Sequence, residues 1–343
     1  MTAYPIELTT RDGEQIRFDC AEDQNLIDAA AAVDIILPSQ CKQGGCGACH
    51  AHATAGDYLL GEHSPDALPK DGGHGSLLMC RTYPRSALSI AAPFDHNRVL
   101  FQAIPRREAE IAELAAIGEN TVRLVLQLLP DADDSRAAQF EPGQFMELEL
   151  PGGDLKRAYS LANNGNWEGR LEFLIRLQPN GRFSTFLKEQ AKTGDKLMVR
   201  GPQGAFGLEE TGLRPRWFVA GGTGLAPMLS MLRRMAEWQE PHEARLFFGV
   251  NREEELFALD ELEELKAALP QLRVEICVWK PGDAWQGYAG TPVDALRRDL
   301  AEAKTTPDIY LCGPPALIDF AETAARELGV GEEQIFSERF LPS

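Results

Sequence analysis

Four cysteines in the first quarter of the chain have the spacing of metal ligands. Cys41, Cys46 and Cys49 are separated by four and two residues, and Cys80 follows after thirty more. This C-x4-C-x2-C…C spacing is typical of a plant-type [2Fe–2S] site, in which four thiolates hold two irons. Three glycines between the ligands would let the loop fold tightly and turn backbone N–H groups toward the sulfur atoms. The spacing therefore predicts a [2Fe–2S] cluster on these four cysteines.

A structural zinc site is the alternative interpretation of the same cysteines. Such sites usually contain two C-x2-C pairs or mixed Cys/His pairs, and here only Cys46 and Cys49 form a pair of this kind. The pattern favours the cluster. Cys20 lies outside the spacing, and we expect it to be a small buried apolar residue.

Polar residues that could contact a cofactor form a second group in the middle of the chain. Arg157, Tyr159 and Ser160 fall within one predicted strand, so Arg157 and Tyr159 would face one side and Ser160 the other. Twenty-one residues after Ser160 a short polar turn begins, made of Gly181, Arg182, Phe183, Ser184 and Thr185.

A third group follows strands in the last part of the chain. The apolar run 217–220 is followed by a glycine turn and then by a predicted helix at 228–237. Such a turn places backbone N–H groups at a positive helix end, which suits a pyrophosphate. Its residues are Gly221, Gly222, Thr223, Gly224 and Pro227. A later strand at 308–312 ends in Cys312, Gly313 and Pro314, and ligands bind beyond the carboxyl ends of such strands.

The elements that must position these groups divide the chain into predicted domains at 1–98, 99–212 and 213–343. The first begins with a hairpin at 4–19 and a helix at 25–33. The second contains short strands at 121–129, 144–150, 171–177 and 196–200, separated by Gly/Pro turns, which predicts a small antiparallel barrel. The third alternates strands with helices, which predicts a doubly wound parallel sheet.

Composition and charge exclude several classes of protein. The chain has 343 residues and a net charge of −18, with 34 basic and 52 acidic side chains. An acidic surface repels phosphate backbones, so we expect no nucleic-acid partner. The longest uncharged stretch, residues 217–232, is short and broken by glycines, so we expect no membrane insertion. The N-terminus has no secretory signal pattern, which predicts a cytoplasmic protein with reduced thiols.

The middle motifs resemble the R-x-Y-S flavin motif of the ferredoxin–NADP reductase superfamily. By this resemblance, Arg157 neutralises the FAD pyrophosphate, Tyr159 lies along the isoalloxazine, and the Ser160 hydroxyl reaches toward flavin N5. The turn from Gly181 to Thr185 resembles the second phosphate-binding turn of the superfamily.

The last motifs resemble the nicotinamide-nucleotide pattern of the same superfamily, G-G-T-G-x-x-P followed by C-G-P-P. The resemblance implies that Cys312 sits against the nicotinamide and flavin. Glu338-Arg339-Phe340 is similar to the terminal Glu-x-aromatic of the superfamily, with Phe in place of Tyr. It implies that the ring of Phe340 covers the isoalloxazine and that Glu338 supports the serine and the cysteine. Ser160, Cys312 and Glu338 would then be the catalytic residues.

The order of the three domains, with a plant-type ferredoxin (β-grasp) domain at the N-terminus, resembles the domain order of the bacterial oxygenase reductases. The stretches CRTYP (80–84), EPGQFMELELP (141–151), LEFLIR (171–176), VAGGTGLAP (219–227), PDIYLCGPP (307–315) and FLPS (340–343) are similar to the reductase components of soluble methane monooxygenases. The resemblance implies an NADH-dependent oxidoreductase that passes electrons from NADH to FAD, to [2Fe–2S] and to a diiron hydroxylase component.

The sequence is also compatible with other electron acceptors. Reductases of phenol or alkene monooxygenases and of aromatic-ring dioxygenases have the same domain order, and a passive iron–sulfur carrier would need a decayed flavin or nucleotide site.

After the strand at 246–250 the chain reads Asn-Arg-Glu-Glu-Glu (251–255). Three carboxylates there would repel a 2′-phosphate, which predicts a preference for NADH over NADPH.

Overall fold

The computed structural model describes residues 2–39, 42, 44–45, 47–68, 73, 75–153 and 155–340. Cys41, Cys46 and the last three residues of the FLPS ending lie outside the described residues. The chain divides into two units, Met1–Pro105 and Arg106–Ser343. The predicted domain limits after residues 98 and 212 stay predictions.

Alternating apolar residues build the first sheet of the N-terminal unit. β1 and β2 form the predicted hairpin, and Ile6 and Leu8 pair across it with Phe18 and Ile16, all four of them buried. The strands of this unit are β1 (Ala3–Thr9), β2 (Gln15–Ala21), β3 (Ile35–Ile36), β4 (His50–Ala55), β5 (Tyr58–Leu60), β6 (Ser76–Leu78), β7 (Thr82–Pro84), β8 (Leu88–Ala91) and β9 (Leu100–Phe101).

The N-terminal sheet is mixed and has the order β2-β1-β8-β4-β6, with β1 and β8 parallel. Helix α1 (Leu26–Ala32) packs on it and begins where the Asn25 side chain accepts a hydrogen bond from the Asp28 N–H. This arrangement agrees with the predicted β-grasp ferredoxin domain. Cys20 is buried, as predicted.

Six antiparallel strands form the barrel that begins the second unit. They are β10 (Arg106–Gly118), β11 (Thr121–Leu128), β12 (Phe145–Glu149), β13 (Lys156–Ser160), β14 (Arg170–Arg176) and β15 (Lys196–Gln203). Their order is β13-β12-β15-β10-β11-β14, and a bridge between Leu161 and Phe173 joins the two edge strands. The predicted barrel is confirmed. A short helix, α2 (Arg182–Thr185), follows β14.

A parallel sheet with helices on both faces completes the second unit. Its strands are β16 (Arg216–Gly221), β17 (Ala244–Val250), β18 (Leu272–Val278), β19 (Tyr288–Ala289), β20 (Asp308–Gly313) and β21 (Ile335–Arg339). Its helices are α3 (Leu225–Glu237), α4 (Leu259–Ala268), α5 (Pro292–Glu302) and α6 (Pro315–Glu327). Phe218 packs with α3 and α4, whereas its neighbour Val219 packs with α5 and α6. Because both faces are covered, every residue of β16 and β20 is buried.

The strand order of this sheet, β19-β18-β17-β16-β20-β21, reverses direction at β16. Chain segments therefore leave β16 and β20 toward opposite sides, which opens a crevice beyond their carboxyl ends. The predicted doubly wound fold is confirmed. The glycine turn after β16 and the segment 312–314 at the end of β20 both lie at this crevice. No helix within the described ranges is long and apolar enough to cross a membrane.

Candidate functional site

The described part of the cysteine loop is folded tightly around buried thiols. Cys49 and Cys80 are almost fully buried, and the Met79 N–H beside Cys80 donates to the Cys49 carbonyl over 3.0 Å. Gly47 has φ +75°, and a Cβ there would lie 3.0 Å from the Ala67 carbonyl oxygen. A side chain at Gly47 would crowd the Ala67 backbone in a conformation that favours glycine. The tight fold of this loop therefore depends on glycine at position 47.

Arg81 holds the other side of the same loop. Its Nε–H donates to the Glu62 carbonyl over 2.7 Å, and a Cβ on Gly44 would lie 2.7 Å from its Cγ. Gly44 has φ +76°, a backbone conformation that favours glycine. The predicted ligands Cys41 and Cys46 lie outside the described residues, so the described geometry concerns only the other two.

The R-x-Y-S motif lies on a strand of the barrel, as the sequence predicted. This strand, β13, is an edge strand of the sheet. Ser160 is buried, while Arg157 and Tyr159, on the other face, are half-buried. The Tyr159 ring lies 5.2 Å from the ring of Phe183, and burial raises the pKa of its hydroxyl. The Arg157 guanidinium donates to the Lys156 carbonyl over 2.8 Å, which leaves most of its donors for other groups.

The turn from Gly181 to Thr185 forms the first turn of α2. Phe183 is buried in the barrel core, and Ser184 is buried with its hydroxyl accepting from the Gln178 N–H over 2.8 Å. Arg182 is exposed and Thr185 is half-buried. The Phe183 side chain therefore serves packing, and a phosphate could reach this residue only through its backbone.

Glycine lets the ends of β16 and β20 approach each other at the crevice. A Cβ on Gly224 would lie 2.2 Å from the Cys312 carbonyl oxygen, and one on Gly221 would lie 3.0 Å from Pro314 Cδ. Gly222 has φ +55° and lies in the turn before α3. Thr223 is half-buried in that turn, and Pro227 lies in the first turn of α3. The backbone N–H groups of this turn are therefore available at a helix N-terminus.

The structure brings three distant sequence positions together at this crevice. Glu338 pairs with Cys312 in the parallel ladder of β20 and β21, and the Ser160 hydroxyl donates to Glu338 Oε2 over 2.9 Å. Glu338 is buried, and this desolvation raises its pKa to about 7, while the Ser160 hydrogen bond opposes the shift. Burial raises the pKa of the Cys312 thiol well above its usual value. Phe340 is half-buried beside them, and its N–H donates to the Gly313 carbonyl over 2.8 Å.

Sequence reasoning missed two cations at strand ends of the second unit, one of them beside the glycine turn. Arg176 ends β14, and its Nη1 lies 3.8 Å from the position that a Cβ on Gly222 would take. Lys280 follows β18, and its N–H donates to the Asn251 carbonyl over 2.9 Å. The signal in the sequence is a charged residue at or close to a strand end, since Arg176 is the last residue of β14 and Lys280 stands two residues beyond β18. The contact of Arg176 with the glycine turn cannot be predicted from the sequence, because the two segments are far apart along the chain.

Three domain models match successive parts of the chain. Residues 9–85 match a 2Fe-2S iron-sulfur cluster binding domain, and residues 108–207 match an oxidoreductase FAD-binding domain. Residues 218–323 match an oxidoreductase NAD-binding domain. The fold and the site thus define an iron–sulfur flavoprotein oxidoreductase that binds NAD.

Relatives with known names extend over most of the chain. Methane monooxygenase component C of Methylosinus trichosporium is 42% identical over 299 residues, 87% of each chain. The toluate 1,2-dioxygenase electron transfer component of Pseudomonas putida is 34% identical and covers 99% of each chain. The crystal structure of the Amycolatopsis cytochrome P450 reductase GcoB matches with a TM-score of 0.79 at 28% identity, covering 98% of this chain and 99% of that one. The chain belongs to the family of ferredoxin–FAD–NAD reductase components of bacterial oxygenases.

Proposed function

We propose that this chain is the NADH-dependent reductase of a soluble methane- or alkane-type monooxygenase. Electrons would pass from NADH through FAD and [2Fe–2S] to the diiron hydroxylase component of that system. The observation that carries the proposal is the 2.9 Å hydrogen bond from Ser160 to Glu338, beside Cys312. It joins the flavin strand of the barrel to the strand ends of the nucleotide fold, where the two cofactors must meet.

The four cysteines Cys41, Cys46, Cys49 and Cys80 are the proposed cluster ligands. The burial of the last two, together with the glycine-dependent wrapping of the loop, supports this assignment. Sulfur ligands in a buried loop suit iron and sulfide, and neighbouring N–H groups can donate to the sulfurs.

The FAD site is proposed on β13 and the N-terminal turn of α2. Arg157 has donors available for the pyrophosphate, and the Tyr159 ring offers a face to the isoalloxazine. Gly181, Arg182 and Thr185 would meet a phosphate through N–H groups, a guanidinium and a hydroxyl.

The nucleotide site is proposed at the crevice beyond β16 and β20. The turn that contains Gly222 and Thr223 presents N–H groups to the pyrophosphate of NADH. Arg176 lies beside this turn and could also contact the pyrophosphate, although its Nη1 is 3.7 Å from Glu255 Oε2 and shares its charge with that carboxylate. Gly313 and Pro314 form the opposite wall. Phe340 lies at this edge, where its ring can cover the isoalloxazine.

Bound FAD would supply the conversion between two-electron hydride transfer and the one-electron transfer that the cluster requires. The Ser160 hydroxyl would contact the flavin, and its hydrogen bond to Glu338 Oε2 fixes the direction of that hydroxyl. Cys312, buried at the strand end, excludes water and orients the nicotinamide. Glu338 positions both groups, since it is paired with one in the sheet and hydrogen-bonded to the other.

The partner of the N-terminal unit is proposed to be a protein with a basic docking face. Asp57 and Glu62, which follow the cysteine loop, are exposed, and the net acidic charge favours such a partner. The side chain of Asp66, a third candidate, lies outside the described residues. We place the protein in the cytoplasm, where its thiols stay reduced until the cluster is assembled.

The test is NADH oxidation by the purified protein in the presence of candidate hydroxylase components. Formation of a hydroxylated alkane, with NADH consumed in equal amount, supports the proposal. NADH-dependent reduction of the chain without electron transfer to any diiron hydroxylase would contradict the proposed partner while leaving the NADH oxidoreductase activity intact.

A reductase of a phenol or alkene monooxygenase, or of an aromatic-ring dioxygenase, is the second candidate. The full-length similarity to the toluate 1,2-dioxygenase electron transfer component supports this second candidate. The same assay separates these systems by product, because an alkane hydroxylase yields an alcohol, an alkene monooxygenase an epoxide, and a phenol hydroxylase or ring dioxygenase a hydroxylated aromatic.

A further inference from the structure

Helix α3 connects the two halves of the proposed hydride-transfer site. Its N-terminus follows the glycine turn at 222–224, where NADH is proposed to bind. Its second and third turns contact the barrel just beyond Ser160. Arg233 lies eight positions after Leu225, which corresponds to about 12 Å along the helix axis.

Two side chains on one face of α3 bind the backbone that follows the flavin strand. The Ser230 hydroxyl donates to the Asn163 carbonyl over 2.7 Å, and Arg233 Nη1 donates to the Ala162 carbonyl over 2.8 Å. Residues three apart on a helix lie on the same face, so both can contact consecutive carbonyls. Ser230 is fully buried. These bonds tie the residues next to Ser160 to the helix that carries the nucleotide turn.

A buried carboxylate of the barrel fixes Arg233 in this position. Glu172 on β14 lies 3.2 Å from Arg233 Nη1 through Oε2, and 3.4 Å from Arg123 Nε through Oε1. Arg123 also pairs with Glu261 on α4. The backbone N–H of Ala162 donates to the Glu172 carbonyl over 2.8 Å. Glu172 is therefore bonded to the flavin-strand segment through its backbone and to α3 through its side chain.

We propose that Ser230 and Arg233, held by Glu172, are positioning residues that set the distance between the flavin and the nicotinamide. The inference rests on the proposed function, because it assigns these residues to the hydride-transfer step. None of them is placed against a cofactor, so they act through the backbone of Ala162 and Asn163. A shift of this segment would move Ser160 relative to the glycine turn, and misplacement by about 1 Å can slow a transfer by about 100-fold.

The variants Arg233→Met and Ser230→Ala test the proposal in the full-length protein with both cofactors. Stopped-flow reduction of the flavin by NADH should slow about 10-fold in Arg233→Met and about 3-fold in Ser230→Ala. The Kd for NADH and the FAD content should change less than about 2-fold, and the primary deuterium isotope effect should rise toward its intrinsic value. Hydrogen exchange of the peptide at 159–164 should become faster. Arg233→Lys, which keeps a cation beside Glu172, should recover part of the rate.

Arg297→Met is the matched control. Arg297 pairs with Glu327 at 2.8 Å, within the helices of the nucleotide fold, and we expect a wild-type reduction rate. Wild-type reduction rates in both Ser230→Ala and Arg233→Met would overturn the inference, as would a fall in FAD content that accounts for the whole loss. If NADH fails to reduce the flavin of the wild-type protein, the proposed function itself fails.

Discussion

Replacing the Glu338 carboxyl with an amide, in the variant Glu338→Gln, should remove a pH-dependent term from the stability of the second unit. Burial raises the pKa of the Glu338 carboxyl to about 7, so the folded chain keeps this proton where the unfolded chain has lost it. The free energy of unfolding therefore falls as the pH rises from the ordinary carboxyl pKa of 4.5 toward 7, and it levels off above that range. The variant cannot titrate at this position, so it lacks that fall.

The size of the effect follows from the shift. Each pKa unit corresponds to about 1.4 kcal/mol, which gives a full penalty of about 3 kcal/mol in the wild-type protein at high pH. About 2 kcal/mol of it develops between about pH 5.5 and pH 8, a range chosen to spare an acid-sensitive cluster. The amide oxygen that Glu338→Gln introduces would still accept the Ser160 hydrogen bond, so the contact survives the change.

The measurement is urea unfolding of both proteins at several pH values, followed by flavin fluorescence and by circular dichroism. The difference in unfolding free energy, variant minus wild type, should grow by about 2 kcal/mol from about pH 5.5 to pH 8. Taking the difference cancels the titration of all other groups. A difference that stays constant with pH would refute the raised pKa, and one that shrinks would show that the ionised carboxylate is the form stabilised by folding.

The remaining predictions concern the cluster, the nucleotide and the partner. Cys49→Ser should lose the iron and labile sulfide, expected at about two of each per chain, whereas Cys20→Ser should keep them; zinc without sulfide in the wild-type protein would contradict the assignment. Cys312→Ala should slow stopped-flow flavin reduction by about 100-fold with FAD and cluster retained, and an unchanged rate would leave the thiol with a packing role only. Steady-state kcat/KM should be higher for NADH than for NADPH, because the carboxylates after β17 repel a 2′-phosphate and Arg252 is already paired with Glu119; an equal or higher value for NADPH would disprove this. Raising the salt concentration should slow electron transfer to the hydroxylase but not flavin reduction by NADH, and equal salt responses would argue against electrostatic docking.

The strand β10 marks a limit of local sequence reasoning. Its residues 106–118 include three Glu and four Ala, which favour helices, and the sequence pattern predicts no strand there. It is nevertheless a long strand, because it pairs with β11 on one side and β15 on the other. Backbone pairing with two neighbours outweighs propensities of a few tenths of a kcal/mol per residue.

The nucleotide fold was easier to predict from sequence. Helix α3 contains the predicted helix at 228–237 and begins three residues earlier, and the strands at 246–250 and 308–312 differ from the observed ones only at their ends. Strands buried on both faces are continuous apolar runs, and the helices between them have regular apolar spacing. Local composition is therefore sufficient in this region.

Residue type and spacing by themselves determined the chemistry of this chain: the four-cysteine pattern, the polar strand around Ser160 and the glycine turn before α3. Each is a local property, since backbone conformation and metal ligation depend on neighbours a few residues apart. Only the tertiary structure decided that Ser160 is bonded to Glu338, that Arg176 reaches the glycine turn, and that Glu172 ties α3 to the flavin strand. The physical reason is that these contacts join segments brought together by sheet order and barrel closure, and burial then changes the pKa of Glu338 in a way that no local sequence contains.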